Sequence, residues 1–339
     1  MLSARKTVLL GTVMFFVILF SEIIRSSILN SIQICIQMLI PALLPSFILC
    51  GMILDCGIDL IIPPKWAAFL IGLICGYPLG CSTVCRLYSQ KKLTKAQAEQ
   101  LLLCTTNASP AFVVIVIGST ILESKQLGYI LLGVQTIIAL LFFLCIPKSN
   151  FIQPSHAQST SLGISLIDNI KKSAEQLCFV CTCTIVFGII FDLLSQNIIL
   201  HSKFLKIIFA STELTHGLTL YGENELYSVA AILGFSGIAV LSQCAYFVQK
   251  TDLKFRYVLI GKVLCGILLP CFTYLIIPYN PRKLWVLGII ILTNVFTMCI
   301  IRHKGCEKKH DIFKRNRKML RLLRKGNKNC NERTGALSA

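Results

Sequence analysis

Four short segments place polar or helix-disrupting residues inside otherwise apolar stretches of the chain. The first, GLICGYPLGC, carries Gly72, Gly76 and Gly80 four residues apart, with Pro78 between the last two. Glycines at this spacing share one helical face and let another backbone approach closely. Proline clashes with the preceding turn, so we expect the helix to break near Tyr77. The freed backbone groups cannot face lipid, and the break must line a hydrated cavity or, in the plainer alternative, a tightly packed kink without a ligand.

The second segment is TTNASPAF, which follows the amphipathic stretch LTKAQAEQLLLC. Thr94 is typical of an N-cap for that stretch, and Pro110 suits the first turn of the next helix. Asn107 and Ser109 stand immediately before this start. Unpaired N–H groups at the start of a helix attract anions, so these two residues are candidates for binding an anionic solute. An ordinary capped helix is the alternative.

Two further segments lie in the second part of the chain. STELTHGL places Glu213 and Thr215 between apolar runs, and an acid at membrane depth is costly and usually functional, whereas in a water-facing loop it means little. GFSGIAVLSQ combines two glycines with Ser236 and Gln243. Interrupted polar segments that alternate with plain apolar spans, two in each half, are typical of a central polar cavity.

Composition indicates the class of protein that positions these residues. Of 339 residues, 55% are apolar and 14% are charged, whereas a soluble domain has about 25% charged residues. Runs long enough for a bilayer occupy residues 7–24, 31–54, 66–88, 127–146, 177–194, 226–248, 255–277 and 284–301. Runs 110–122 and 198–210 are too short and predict half-helices or re-entrant pieces. We predict an all-α polytopic membrane protein with about eight or nine transmembrane helices.

Two related halves are indicated by a weak internal echo. CGMILD, residues 50–55, resembles FGIIFD, residues 187–192, and GYPLGCSTVCRLYSQKKLT resembles GFSGIAVLSQCAYFVQKTDLK. The predicted organisation is an N-terminal transmembrane helix (1–30), a first repeat (31–147), a polar linker (148–162), a second repeat (163–301) and a basic tail (302–339). Residues 7–24 also fit a signal peptide, but no clean cleavage site follows, which favours a retained span.

The net charge of +18 is concentrated in the tail, which directly follows the last predicted span. The positive-inside rule places this tail in the cytoplasm, where it would contact anionic lipid. Nucleic-acid binding is the less favoured reading of such a run, and we expect none.

No constellation of residues indicates an enzyme, a cofactor or a metal site. CFVCTC, residues 178–183, contains a C-x-x-C, but no nearby His or acid completes a site, so the cysteines are interpreted as packing residues. A Walker A loop is absent from the sequence.

The segments LIPALLPSFIL, CGYPLGC, LTKAQAEQLLLCTTNASPAF, ELTHG and GFSGIAVLSQ resemble, in the same order, the YlbJ-type family of sporulation integral membrane proteins. That family belongs to the broader Gate, or nucleoside-recognition, domain group. The resemblance covers about residues 31–277. On it, the family's motifs fall on Gly76, Tyr77, Pro78 and Gly80, on Thr106, Asn107, Ser109 and Pro110, and on Glu213, Thr215 and Gly217. Ser236 stands where the family usually has a second glycine, and Leu241 where it often has His.

The resemblance implies a multi-pass protein of the cell membrane in spore-forming bacteria. It implies movement of dipicolinic acid, a small aromatic dianion, across the outer forespore membrane. We therefore expect transport of a small anionic metabolite, held by half-helix N-termini and stacked on Tyr77. The alternatives are a nucleoside-type carrier and a non-transporting membrane scaffold for sporulation, anchored by the tail.

Overall fold

The computed structural model describes residues 18–146, 162–197 and 203–276, together with residues 11, 12, 14 and 15. Helices dominate, and no strand occurs among these residues. From residue 21 onward the helices are α1 (Ser21–Asp55), α2 (Ile58–Ile61), α3 (Pro64–Cys75), α4 (Leu79–Ser89), α5 (Lys95–Leu101), α6 (Phe112–Ile121), α7 (Lys125–Leu144), α8 (Leu162–Asn197), α9 (Lys203–Ala210), α10 (Leu214–Leu218), α11 (Leu226–Phe235), α12 (Gly237–Val248) and α13 (Arg256–Ile276). Helix α1 is π-helical over Cys35–Leu39, and α6 is π-helical throughout.

The described helices have the lengths and surfaces of a membrane bundle. Helices α1, α7, α8 and α13, and α11 with α12 taken together, are long and apolar enough to cross a bilayer. Large apolar side chains are exposed on their outer faces, among them Ile36, Leu144 and Ile167. The described part of the chain is therefore all-α and has the helices of a multi-pass membrane protein, as predicted. The predicted number of eight or nine spans stays a prediction, because the run 284–301 and part of 7–24 lie outside the described residues.

The predicted break near Tyr77 is present, but the chain reverses direction there instead of continuing across. Trp66 at the start of α3 packs on Phe143, with ring centroids 4.4 Å apart. At the other end of the same segment Arg86 of α4 contacts Asp55, the last residue of α1. Because α3 follows α1 after eight residues, both outer ends lie at one end of the bundle. The predicted single span 66–88 is therefore wrong: α3 and α4 form a re-entrant hairpin, called hairpin 1, about 18 Å deep.

A second hairpin enters from the opposite end. Lys206 of α9 lies 3.5 Å from Glu225, which follows α10, so the outer ends of both arms are together. We call this hairpin, formed by α9 and α10, hairpin 2. Helix α9 covers residues 203–210 of the short run predicted at 198–210, and residues 198–202 lie outside the described part of the chain. The tip of hairpin 2 is the segment from Ser211 to Glu213.

Helix α13 shows that hairpin 2 and hairpin 1 open towards opposite ends. Arg256 follows the loop of Asp252, and Asp252 contacts Tyr88 and Lys95 beside the outer end of hairpin 1. Further along α13, Lys262 contacts Ser236, and Tyr274 finally packs on Tyr227 near the outer end of hairpin 2. Since α13 rises about 1.5 Å per residue, these two ends are about 27 Å apart.

Each half also contains one interrupted crossing. In the first half, α5 leads inward, residues 102–109 run without regular helix, and α6 continues to the opposite end. In the second half, α11 and α12 are separated by Ser236, which adopts a left-handed conformation with φ 67°. The short run predicted at 110–122 is thus half of a crossing.

The order of elements is the same in both halves: a long helix, a hairpin, an interrupted crossing and a further long helix. Since the hairpins open at opposite ends, this arrangement is inverted, as in many secondary transporters. The sequence echo that aligned residues 76–94 with 234–254 is wrong in this respect, because it pairs the tip of hairpin 1 with the break in the α11–α12 crossing.

The predicted boundary at residue 30 falls inside α1.

Candidate functional site

Both hairpin tips dock on the interrupted crossing of their own half through backbone hydrogen bonds. The Tyr77 N–H donates to the Asn107 carbonyl at 2.7 Å. In the other half, Ile238 N–H donates to the Ser211 carbonyl at 2.8 Å, and Ala239 N–H donates to Thr212 at 3.1 Å. These contacts satisfy backbone groups that the breaks release, which would otherwise be costly away from water. Four interrupted pieces of backbone therefore meet within the bundle.

A small cavity of about 30 Å³ lies where they meet, and we call it the central cavity. Space of this size holds about two water molecules. Its polar lining consists of Tyr77, Ser109, Thr184, Glu213, Thr215 and Gln243, and its apolar lining includes Leu39, Leu43, Phe112, Val180 and Val240. Polar groups from both hairpins and both interrupted crossings thus face one small space.

Glu213 is the acid of this cavity, and its side chain is only 3% exposed. Its Oε2 accepts the His216 backbone N–H at 2.7 Å, so the carboxylate caps α10. The same oxygen lies 2.9 Å from His216 Nδ1, and Nε2 of that ring lies 3.1 Å from Ser31 Oγ on α1. A buried carboxylate therefore sits at the end of a chain of polar contacts that reaches the first long helix.

Lys262 supplies a buried positive charge close to the same region. Its Nζ donates to Ser236 Oγ at 2.8 Å and lies 5.1 Å from the centroid of the Tyr77 ring. The lysine is 2% exposed, and burial of a cation without a carboxylate is unfavourable unless other groups compensate. Asn107 and Gln135 line the small space beside it. The hydroxyl and the face of the aromatic ring provide compensation of this kind.

Helix starts add further positive potential to the centre. Helices α4, α6 and α12 all begin at the tips or breaks and run outward. The N-terminus of a helix carries roughly half a positive charge. Together with Lys262 they make the surroundings of Tyr77 favourable for a negatively charged group.

One comparison with known proteins finds a similar curated protein. The chain is 24% identical to the "Sporulation integral membrane protein YlbJ" of Bacillus subtilis (strain 168), over 71% of this chain and 74% of that protein. No family model matches, so membership of the Gate domain group stays a prediction. No solved structure matches.

Half of the residues predicted from the YlbJ-type motifs and the polar segments line the central cavity: Tyr77, Ser109, Glu213, Thr215 and Gln243. Ser236 is fully buried and faces Lys262, and Asn107 uses its Nδ2 to bond the Cys104 carbonyl at 2.7 Å. A solute-binding role for all of them stays a prediction.

The predicted glycines and proline shape the backbone. Gly76 has φ +73°, and a Cβ there would lie 2.5 Å from the Ser109 amide nitrogen. Gly80 faces Gly72 where α3 and α4 cross, and a Cβ on it would lie 2.8 Å from the Gly72 Cα. Pro78 is buried at the start of α4. These residues allow the tip of hairpin 1 to turn and pack closely. Of the tip residues, Tyr77 is the one that lines the central cavity.

Two ionisable groups of the site were missed by the sequence reasoning, namely Lys262 and the imidazole of His216. Lys262 lies in the apolar run LIGKVLCGILL, where a single cation is itself an indication of function. His216 was visible beside Glu213, but only the fold brings its ring to Ser31.

Proposed function

We propose that the protein is a carrier that moves a small anionic metabolite across a bacterial membrane. The observation that supports this most is the meeting of two hairpin tips and two helix breaks around one polar cavity, with the hairpins opening at opposite ends. Such a site can be exposed to either side of a membrane by movement of the hairpins. Enzymatic chemistry is not part of this proposal.

The proposed anionic character of the solute rests on the positive groups near Tyr77, which must outweigh the carboxylate of Glu213 on the cavity wall. Lys262 and three helix N-termini favour a carboxylate there, and the ring of Tyr77 offers a surface for an aromatic solute. A dipicolinate-like aromatic dianion has both features. The central cavity at about 30 Å³ is too small for it, so loading requires one of the tips to move away.

The cellular setting proposed is sporulation, because the relative in Bacillus subtilis bears that name. The outer forespore membrane is the proposed location. The loops that carry Lys91 and Lys92 and those that carry Lys250 and Lys254 lie at the same end of the bundle, where Asp252 contacts Lys95. By the positive-inside rule this end, called the basic end, faces the cytoplasm. The basic tail, residues 302–339, is proposed to contact anionic lipid on that side.

The test is uptake by liposomes that contain the purified protein. Dipicolinate uptake above that of protein-free liposomes, with no uptake of uridine, is the expected result. Uptake of uridine alone would support the nucleoside-type carrier. A lack of uptake of both, by protein that remains monodisperse, would overturn the carrier and favour the scaffold.

A further inference from the structure

A second and larger cavity opens at the basic end of the bundle. Its volume is about 400 Å³, and it lies between α1, α4, the first half of α8 and the end of α12. We call it the vestibule. Its lining includes three cations, Arg86, Lys172 and Lys250, and neutral polar groups such as Thr83, Asn169 and Gln176. In the described part of the chain, no acidic side chain lines it.

The three cations of the vestibule differ in their partners. Arg86 is neutralised by Asp55, which also accepts hydrogen bonds from Asn169 at 2.7 Å and Ser165 at 3.0 Å. Among the described residues neither Lys172 nor Lys250 pairs with a carboxylate; Lys250 lies over the Tyr246 ring at 3.7 Å. The ammonium groups of Lys172 and Lys250 therefore remain available, and their two positive charges match the two negative charges of a dianion.

An apolar layer separates the vestibule from the central cavity. Leu43 lines the central cavity and Phe47, one turn later on α1, lines the vestibule. On α8, Val180 lines the central cavity and Gln176 lines the vestibule. Between them the side chains of one buried cluster pack together: Leu43, Phe47, Leu79, Leu177 and Val180. The two cavities thus follow one another along the same helices.

We propose that the vestibule is a binding site for small dianions, which Lys172 and Lys250 hold. From this site the dianion enters the central cavity from the cytoplasmic side, through the apolar layer that contains Phe47. This loading role depends on the proposed carrier function, whereas binding in the vestibule does not. The ligand class is a compact dicarboxylate. Anionic lipid headgroups share part of this chemistry, and the experiment separates the two sources.

The chain offers a matched control for this site. Lys171 and Lys254 are exposed neighbours that do not line the vestibule. The variant K172Q/K250Q therefore removes the same net charge as K171Q/K254Q, from the same two segments. All four positions are exposed, so neither variant disturbs the core.

The experiment measures equilibrium binding of isophthalate, an aromatic dicarboxylate, and of benzoate, its monoanionic counterpart. The protein is held in nanodiscs of zwitterionic lipid, and binding of an anionic lipid is measured in parallel. We expect K172Q/K250Q to weaken isophthalate binding about tenfold, because each lost charge-assisted contact accounts for a few-fold. Benzoate should be affected less, and K171Q/K254Q should stay within about twofold of the parent chain.

Several results would overturn the site: no isophthalate binding by the parent chain, equal weakening by both double variants, or binding of anionic lipid with no binding of isophthalate. Liposome uptake then separates this inference from the carrier function. Binding that depends on Lys172 and Lys250 without any uptake keeps the vestibule and removes the carrier. Uptake that is insensitive to both lysines keeps the carrier and removes the loading role of the vestibule.

Discussion

The two hairpins share a backbone plan and differ in chemistry. Hairpin 1 docks on the Asn107 carbonyl through Tyr77, and its tip carries an aromatic ring but no ionisable acid or base other than the phenol. Hairpin 2 docks on Ile238 and Ala239, and it carries Glu213 and His216 within four residues. The buried Lys262 also belongs to the second half. The duplicated backbone therefore creates the cavity, whereas the charge within it comes from one half.

This difference predicts unequal sensitivity of the two halves to the loss of one polar group. Glu213→Gln replaces the carboxylate that contacts His216 with a neutral amide. A hydrogen bond to a charged group is worth about 1.5–3 kcal/mol, so we expect the initial rate of solute uptake to fall about 10- to 100-fold. Ser109→Ala, on the wall from the first half, should lower it less than about fivefold, since it removes a neutral group. Rates are compared in liposomes at equal protein content. An effect of Ser109→Ala as large as that of Glu213→Gln would remove the distinction between the halves.

Lys262 offers a sharper test because function and stability should change in different directions. Lys262→Met should lower uptake about tenfold by removing the cation near Tyr77. It should leave the melting temperature unchanged or raise it, because an isolated buried charge is costly to fold. Lys125→Met, on the exposed start of α7, is the matched control and should alter neither quantity. A large fall in melting temperature for Lys262→Met would show that the lysine has a structural role.

The two turning points should differ in how strongly substitution destabilises the fold. Gly76→Ala places a Cβ against the Ser109 amide at a φ of +73° and should destabilise the fold by about 1–3 kcal/mol. Ser236→Gly relieves a left-handed conformation worth about 1 kcal/mol and loses the hydroxyl that Lys262 bonds, so the two effects offset each other. Thermal unfolding in detergent compares them. A Gly76→Ala protein as stable as Ser236→Gly would contradict the hairpin tip described here.

The smallest expected effect concerns the contact between the halves at the basic end. The hydrogen bonds from Lys95 and Tyr88 hold the pKa of Asp252 below its ordinary value. This contact therefore stabilises the folded protein above about pH 4, and the stabilisation is lost as the pH falls through the lowered pKa of Asp252. Asp252→Asn should reduce the melting temperature slightly at neutral pH and not at all at the acidic limit. A pH-independent difference between the two proteins would argue against this contact.

The sequence predicted where the backbone is interrupted but not which way it then runs. Gly76, Tyr77 and Pro78 indicate a break, yet a kinked span and a reversal have the same local pattern. Only the contacts of Trp66 and Arg86 at the same end of the bundle distinguish the two.

Site residues that break the backbone or stand in a polar segment could also be predicted from the sequence. Isolated charged residues could not. Glu213 stands in a polar segment and was found, whereas Lys262 stands alone in an apolar helix. Its role depends on Ser236, 26 residues earlier, and on Tyr77 in the other half. The vestibule likewise combines Arg86, Lys172 and Lys250 from three distant segments.

The most direct test of the central cavity as the solute path uses two positions on one helix. Val240 is 4% exposed and lines the cavity, and Ile238, two residues earlier on α12, is 44% exposed on the outside. Uptake of an aromatic dianion is measured for Val240→Trp and Ile238→Trp in liposomes, after both proteins are shown to be monodisperse. The account predicts that Val240→Trp abolishes uptake and that Ile238→Trp retains it. Full uptake by Val240→Trp would contradict the central cavity as the path.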